Sequence, residues 1–206
     1  AAGGILVEDT AQAEGVQFGS VWIVGSNVDV GAPGILLQGV SEWQFGNVFM
    51  RLLKGTCIRV ENGTADSASV ESQRIAFGNV HLRDCGDTGA TSHGLDIADS
   101  TTAVTIGSLW SRNSFTTGAN YEIKTSAGAT ELVVGNAVLA ASAAGNELSI
   151  GNPATCHFSG TVKLGTAAAV VMFSDGVTAP TATTGYAKVY VDTADGDYKI
   201  TFGDGT

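Results

Sequence analysis

The stretch IAFGNVHL at residues 75–82 recurs along the chain, and its repetition decides the fold. Each intact copy places two apolar residues before a Gly-Ser or Gly-Asn pair and further apolar residues after it. Such repetition has to be interpreted first, because it specifies the architecture before any single residue does. The other copies are VQFGSVWI at 16–23, WQFGNVFM at 43–50, VTIGSLWS at 104–111, LVVGNAVL at 132–139 and a degraded copy, CHFSGTVK, at 156–163.

Counted from the Gly of each copy, the apolar residues fall at positions −3, −1, +2 and +4. Alternate residues of a strand share one face, so these columns are predicted to point inward. The step from −1 to +2 breaks the period of two, which a flat strand cannot do without exposing its core residues. We therefore expect a bend at the Gly pair, where Gly accepts positive φ and Asn or Ser hydrogen-bonds locally. The −1 column holds Phe18, Phe45, Phe77, Ile106, Val134 and Phe158.

A second strand-like element lies between the copies, and no segment has a convincing helical period apart from one turn in FMRLLKG at 49–55. Coils of 24 to 32 residues built from short strands and bends, stacked about 4.8 Å apart, form a β-solenoid. The predicted fold is all-β, a single-stranded parallel β-helix of about six coils over 1–165 with a C-terminal β-hairpin segment over 166–206. The second elements are CIRVENG at 57–63, GLDIADS at 94–100, NYEIKTS at 120–126 and NELSIGN at 146–152.

The apolar-x-Phe-Gly-Asn/Ser-Val steps resemble the right-handed parallel β-helix of pectate-lyase-like proteins and of phage tailspikes and tail fibres. The resemblance covers roughly residues 16–165, and it alone implies the right hand. It implies a virion protein, a segment of a tail fibre or tailspike in the tail or surface appendage. Its implied partners are two further copies in a homotrimer, other virion proteins and host-surface polysaccharide. The alternatives are a polysaccharide hydrolase or lyase of the pectate-lyase-like class and, less favoured, a bacterial adhesin passenger.

The repeat pattern weakens towards the C-terminus. In the sixth copy the Gly pair is inverted. Lys163 falls on an inward column in the simple alignment, and a one-residue shift would move it outward at the expense of Phe158. The solenoid is therefore expected to end near residue 165. Beyond it, AKVYVD and YKITF joined by TADGD predict a β-hairpin. This tail is similar to C-terminal segments of phage structural proteins and is expected to cap the last coil and assist assembly. The spacing of an EF-hand loop is not met by Asp192, Asp195 and Asp197.

Charge and hydropathy exclude several classes of partner. Twenty Asp and Glu against ten Lys and Arg give a net charge of −10, which repels phosphate backbones, so nucleic acid is not expected to bind. No apolar run reaches the length of about 18 residues that a membrane helix needs, so no membrane insertion is expected. The N-terminal segment AAGGILVEDT lacks the basic region of a signal peptide.

The cysteines and histidines do not have the spacing of a metal site. Cys57, Cys85 and Cys156 contain no CxxC pair, and we expect buried or isolated thiols. A Zn²⁺ site would need histidines at short spacing, which the chain does not supply. No P-loop, HExxH or GxSxG occurs, so neither a metal nor a cofactor is predicted. The histidines are His81, His93 and His157.

Outward positions of the repeats carry the candidate binding residues. Position +3 is mostly aromatic and position +5 mostly arginine. An aromatic face beside guanidinium groups suits a sugar ring with an acidic substituent. The same column also suits packing against another subunit or a folded-back loop, which we favour, and in a trimer the arginines would line the groove between subunits. The residues are Trp22, Phe49, His81 and Trp110 at +3 and Val24, Arg51, Arg83 and Arg112 at +5.

Catalysis has two weak candidates, both on the second elements. Arg59, Asp96 and Glu122 are expected at equivalent outward positions of successive coils, with Glu61 and Lys124 two residues further along. Asp96 and Glu122 would then lie within about 5 Å, near the carboxylate separation of a retaining glycosidase. A structural ladder of alternating charge has the same pattern. We favour the charge ladder, and the enzyme hypothesis stays open.

Overall fold

The computed structural model describes residues 4–25, 33–65, 68–85, 92–112, 121–140, 146–151, 156–164, 187–191 and 198–202. The chain divides into two compact units, Ala1–Val170 and Val171–Thr206. Every regular element in the described residues is a β-strand, which confirms the all-β prediction. The helical turn expected in FMRLLKG is absent there, because these residues finish a strand and then bend.

The first unit consists of two stacks of parallel strands, face A and face B. Face A contains β1 (Ile5–Glu14), β3 (Ile35–Ser41), β5 (Ile58–Glu61), β9 (Leu95–Ile97), β11 (Tyr121–Thr125) and β13 (Asn146–Ile150). Face B contains the repeats, in β2 (Gln17–Val24), β4 (Gln44–Leu53), β8 (Gln73–Cys85), β10 (Thr102–Arg112), β12 (Thr130–Ala140), β14 (Cys156–Phe158) and β15 (Val162–Leu164). A short antiparallel pair, β6 (Gly63–Ala65) and β7 (Ala68–Val70), lies between β5 and β8. Each strand of the two faces pairs in parallel with the equivalent strand of the next coil, so the first unit is a parallel β-solenoid.

The register of face B confirms the predicted inward columns. The −1 residues align from strand to strand in one ladder, from Phe18 through Phe45 and Phe77 to Phe158. The rings of Phe18 and Phe45, and those of Phe45 and Phe77, stack with centroids 4.9 Å apart. Burying one such side chain contributes about 1.5–3 kcal/mol, so the ladder is a main source of stability.

The glycine of each repeat stands at the predicted slip in alternation. The physical reason that selects glycine there is not the positive φ that the sequence pattern suggested. In β8, Gly78 and Asn79 are both exposed between the buried Phe77 and Val80. None of the repeat glycines has positive φ. A Cβ on Gly107 would instead lie 2.7 Å from the carbonyl oxygen of Gly78 in the preceding coil, so coil stacking itself excludes a side chain. The same backbone overlap would arise at Gly46, Gly78 and Gly135.

The polar residues that follow the glycines bond between coils. Nδ2 of Asn79 donates a hydrogen bond to Oδ1 of Asn47 over 2.9 Å. Oγ of Ser108 donates to Oδ1 of Asn79 over 2.6 Å. The sequence pattern predicted local hydrogen bonds at a corner, whereas these bonds join successive rungs.

A left-handed residue occurs four positions before each of the five repeat glycines, where face A leads into face B. Only one of them is Gly, so composition contains no signal for this corner. Holding a non-glycine residue there costs about 1–3 kcal/mol, which the packing of the two faces must offset. The residues, with φ between 52° and 70°, are Gly15, Glu42, Arg74, Ala103 and Glu131.

The solenoid makes about four turns, slightly fewer than the six coils expected. The four middle residues of the −1 ladder, from Phe45 to Val134, are buried, whereas Phe18 and Phe158 at the ends are half-buried. The first and last repeats are therefore the end rungs of face B in the described residues.

The sixth repeat stays in register with the fifth. Phe158 lies opposite Val134 and Val162 lies opposite Ala137, so one extra residue is accommodated between them. Lys163 takes the register position opposite Val138, which is the one-residue shift that the sequence left open, although Phe158 keeps its place in the −1 ladder.

The expectation of isolated thiols was wrong for two of the three cysteines. Cys57 and Cys85 form a disulfide, with Cα atoms 5.9 Å apart. They are separated by 28 residues and stand just before β5 and at the end of β8, so the bond closes one coil. Cys156 is a free thiol, and burial raises its pKa to about 11.

The second unit contains the predicted hairpin strands. β16 (Ala187–Val191) pairs antiparallel with β17 (Tyr198–Phe202), and Val191 lies opposite Tyr198. The predicted turn with Asp192, Asp195 and Asp197 lies outside the described residues.

Candidate functional site

The outer side of face B carries a continuous stack of rings at position +3, here called the aromatic column. Trp22, Phe49, His81 and Trp110 come from four consecutive strands in one register. Successive ring centroids are 4.3, 4.9 and 4.0 Å apart. Trp22 is 72% exposed and the other three are half-buried. The column therefore presents a rigid apolar strip four rungs long.

His81 lies in the middle of this strip as an uncharged ring. It stands edge-on to both Phe49 and Trp110. Burial, and after it the charge of Arg83, lower the pKa of His81. Its Nε2 is buried and has no hydrogen-bond partner among the described residues. At neutral pH His81 thus extends the apolar strip without adding charge.

Arginines occupy position +5 of three consecutive strands and form the arginine column. Arg51 aligns with Arg83, and Arg83 with Arg112, and all three are exposed. Nε of Arg83 lies 3.3 Å from Oδ2 of Asp84. Within the described part of the chain, no ion pair joins Arg51 or Arg112 to a carboxylate. Since +3 and +5 share one side of a strand, each arginine stands beside a ring of the aromatic column.

Exposed apolar residues extend the surface at both ends. Val24, at +5 of the first repeat, is 55% exposed, and Val138, at +3 of the fifth, is 36% exposed. The structure thus brings the seven predicted aromatic, histidine and arginine residues into two adjacent columns.

Face A does not have the predicted register. Asp96 lies between Arg59 on one neighbouring strand and Lys124 on the other. Glu122 is two residues before Lys124, so the predicted alignment of Arg59, Asp96 and Glu122 was wrong. A strand with only two apolar residues can align with its neighbour in two registers that differ by two positions. In the structure Ile123 lies opposite Leu95, so the polar Thr125 lies opposite Ile97.

The carboxylates of Asp96 and Glu122 have different contacts in the described residues. Oδ2 of Asp96 is 3.8 Å from Nε of Arg59, whose side chain is 38% exposed on the outer side. Oε2 of Glu122 accepts a hydrogen bond from Oγ of Ser111. Ser111 belongs to the inward +4 column and is buried. The register therefore does not place the two carboxylates at equivalent positions of neighbouring strands, as the sequence alignment predicted.

Charges do alternate on the outer side of face A, along Arg59, Asp96 and Lys124. Arg59 also pairs with Glu61, its Nε lying 2.6 Å from Oε2. Burial raises the pKa of Asp96, although Lys124 and Arg59 oppose the increase. This is a charge ladder, but Lys124 occupies the position that the sequence alignment assigned to Glu122.

His93 is a buried histidine that no sequence motif distinguishes. Only 1% of it is exposed, and its Nδ1 accepts a hydrogen bond from the backbone N–H of Tyr121 over 3.4 Å. Burial, then Lys124 and Arg59, lower the pKa of His93 to about 4. His93 is therefore neutral near pH 7, and its Nε2 has no hydrogen-bond partner in the described ranges.

Metal and membrane features are absent from the described residues. No three His, Cys, Asp or Glu side chains there are close enough to hold a metal ion. The described residues likewise contain no helix that is long and apolar enough to cross a bilayer.

Comparison with protein-family models, curated proteins and solved structures finds no match. The fold defines the class of the protein, a parallel β-solenoid. The resemblance to phage fibres and pectate-lyase-like enzymes rests on the repeat pattern alone.

Proposed function

We propose that this chain is a structural virion protein, a segment of a phage tail fibre or tailspike that forms a homotrimer and binds host-surface polysaccharide. The observation that carries the proposal is the aromatic column of face B with the arginine column beside it. A stacked β-solenoid with a net charge of −10 suits an elongated, highly soluble appendage.

Assembly accounts for the exposure of the aromatic column. A contiguous apolar strip at the surface is typical of an interaction site. Trp22 is 72% exposed, so the aromatic column is in contact with solvent in the isolated chain. A neighbouring subunit packed at or beside the column covers the rings. The arginine column then lies in the groove between subunits, where it binds an acidic glycan without chemistry.

A polysaccharide hydrolase or lyase is the alternative, and the geometry of face A does not favour it. Its candidates, Asp96 and Glu122, are not at matching positions of β9 and β11, and each carboxylate contacts another side chain. A double variant, Asp96→Asn with Glu122→Gln, is expected to retain any depolymerising activity of the assembled protein. Loss of that activity in a correctly folded double variant would make the enzyme the better explanation.

Light scattering of the intact chain at micromolar concentration tests the assembly, and a trimer mass is expected. Acrylamide quenching of Trp22 and Trp110 should rise as the protein is diluted below the dissociation constant of the trimer. Trp43 is only 5% exposed and serves as the internal reference. Trp22→Ala should weaken association, whereas Thr105→Ala, at an exposed position of β10 outside the column, should not. A stable monomer whose Trp22 and Trp110 are fully quenched would refute the trimer and the contact role of the column.

Polysaccharide recognition is tested separately, by binding of the purified chain to capsular and surface polysaccharides from a panel of bacteria. We expect retention by acidic polymers from some hosts and not by neutral dextran. Binding to none of the panel would refute the recognition role.

A further inference from the structure

We infer that Arg51, Arg83 and Arg112 bind a linear acidic polysaccharide that runs along the stack of coils, with successive sugar carboxylates meeting successive arginines. The inference rests on the polysaccharide binding proposed above and adds that the acidic glycan is linear, that it is charged on each sugar, and that it runs along the stack. The three residues share one register on β4, β8 and β10. Because neighbouring strands are about 4.8 Å apart, the guanidinium groups repeat at that interval along the solenoid.

The arginine column carries positive charge that the described residues do not neutralise. Like charges directly opposite on adjacent strands destabilise a sheet. Arg83 has a carboxylate within reach, that of Asp84, whereas Arg51 and Arg112 have no ion pair in the described part of the chain. The column is a local cationic strip on a chain with a net charge of −10. An anionic ligand laid along it relieves the repulsion between neighbouring guanidinium groups.

The geometry favours carboxylates on a linear polymer. A guanidinium group offers a planar fork that pairs with a carboxylate through two parallel hydrogen bonds. With one arginine on each rung, about 4.8 Å apart, a linear polymer with a carboxylate on every sugar presents negative charge along the whole column. A polymer with charges on every third or fourth sugar would meet only one arginine.

The neighbouring aromatic column decides where this ligand lies. Phe49, His81 and Trp110 stand on the same three rungs as the arginines, two residues earlier on the same side. A neighbouring subunit that covers these rings leaves the arginines along the edge of the groove, so the polymer lies in the groove with its carboxylates on the arginines. His81, being uncharged, does not compete for the carboxylates.

The test measures binding of the intact 206-residue chain to alginate, a linear polymer with one carboxylate per sugar. The neutral comparison ligand is the propylene glycol ester of alginate. We expect binding of alginate that weakens steeply with salt, and at least tenfold weaker binding of the ester. With oligouronates of one to six sugars, affinity should rise until about three carboxylates are present and then level off.

Variants assign the binding to the column. Arg51→Ala and Arg112→Ala should each weaken alginate binding about three- to tenfold at low salt and reduce its salt dependence. Arg83→Lys should retain part of the affinity, because it keeps the charge and loses the fork. The matched control is Arg74→Gln, since Arg74 is an exposed arginine on β8 that pairs with Glu42 and lies outside the column. This variant loses the same charge and should bind like the parent.

Several outcomes would overturn the inference: equal losses for Arg74→Gln and Arg51→Ala, affinity independent of oligouronate length, or tighter binding of a thymidine oligonucleotide than of alginate. Host polysaccharide binding that ignores salt and all three arginines would refute the arginine column while leaving the proposed function intact. Length-dependent alginate binding at the arginine column by a monomer that recognises no host polymer would refute the proposed function and leave the role of the arginine column supported.

Discussion

The repeat glycines are expected to be replaceable only at the uncovered end of the stack. In Gly107→Ala the new Cβ would lie 2.7 Å from the carbonyl oxygen of Gly78, about 0.7 Å closer than ordinary contact. The obstacle is backbone, which cannot rotate away as a side chain does. The two coils must separate locally and stretch the hydrogen bonds on either side. In Gly19→Ala no atom lies within 4 Å of the new Cβ, so the same substitution meets open space.

The magnitudes follow from these distances. Overpacking typically costs about 1–3 kcal/mol, so we expect Gly107→Ala to lower the free energy of unfolding by about 2–3 kcal/mol. Gly19→Ala should leave that free energy unchanged or raise it by up to about 1 kcal/mol, because alanine restricts the unfolded chain. Urea unfolding is followed by circular dichroism and tryptophan fluorescence at one protein concentration, with coincident transitions as the check on two-state behaviour. Equal midpoints for the two variants would show that coil stacking does not select glycine.

Three further perturbations are expected to act on the stack. Phe77→Ala removes a buried ring stacked on Phe45 and should cost about 3–5 kcal/mol in urea unfolding; an unchanged midpoint would mean that the ladder is not the core. Replacing Cys57 and Cys85 by Ser should cost about 3–4 kcal/mol for a cross-link over 28 residues, while Cys156→Ser serves as the control without a cross-link; equal effects would contradict the disulfide. Acidification from pH 6.5 towards 4 should destabilise the protein by up to about 3 kcal/mol through His93, because its pKa of about 4 means that only the unfolded chain takes up the proton there. The raised pKa of Asp96 acts in the opposite direction in acid, so the test is whether His93→Gln flattens the pH profile of the urea midpoint; an unaltered profile would exclude His93 as the cause.

Much of face B could be predicted from the sequence because its pattern is local. The spacing of Phe77, Gly78 and Val80 within one strand indicates both the inward side and the slip in the alternation of apolar residues. The other copies of the repeat support the same alignment. The aromatic and arginine columns follow from the same alignment, since position +3 or +5 of one repeat meets the same position of the next. The C-terminal hairpin was also predicted from local alternation around an Asp-Gly turn.

Face A was predicted less well because its strands are short. With Leu95 and Ile97 as the only apolar residues of β9, a neighbour shifted by two positions fits equally well in sequence. The actual register brings Lys124 to Asp96 and turns Glu122 towards Ser111. The predicted equivalence of Asp96 and Glu122 was therefore a product of alignment, and the packing of the coils set the actual register.

The sequence by itself determined the solenoid class, the inward columns and the two outward columns, because alternation and repeat length act within each coil. The tertiary structure alone decided features that join residues of different coils or opposite ends of one coil. Glycine is required at Gly107 by the carbonyl of the coil before it. The left-handed corner at Ala103 is imposed by the meeting of the two faces, and Cys57 reaches Cys85 only when its coil closes. Each depends on a distance that stacking sets, and residue type along the chain does not encode that distance.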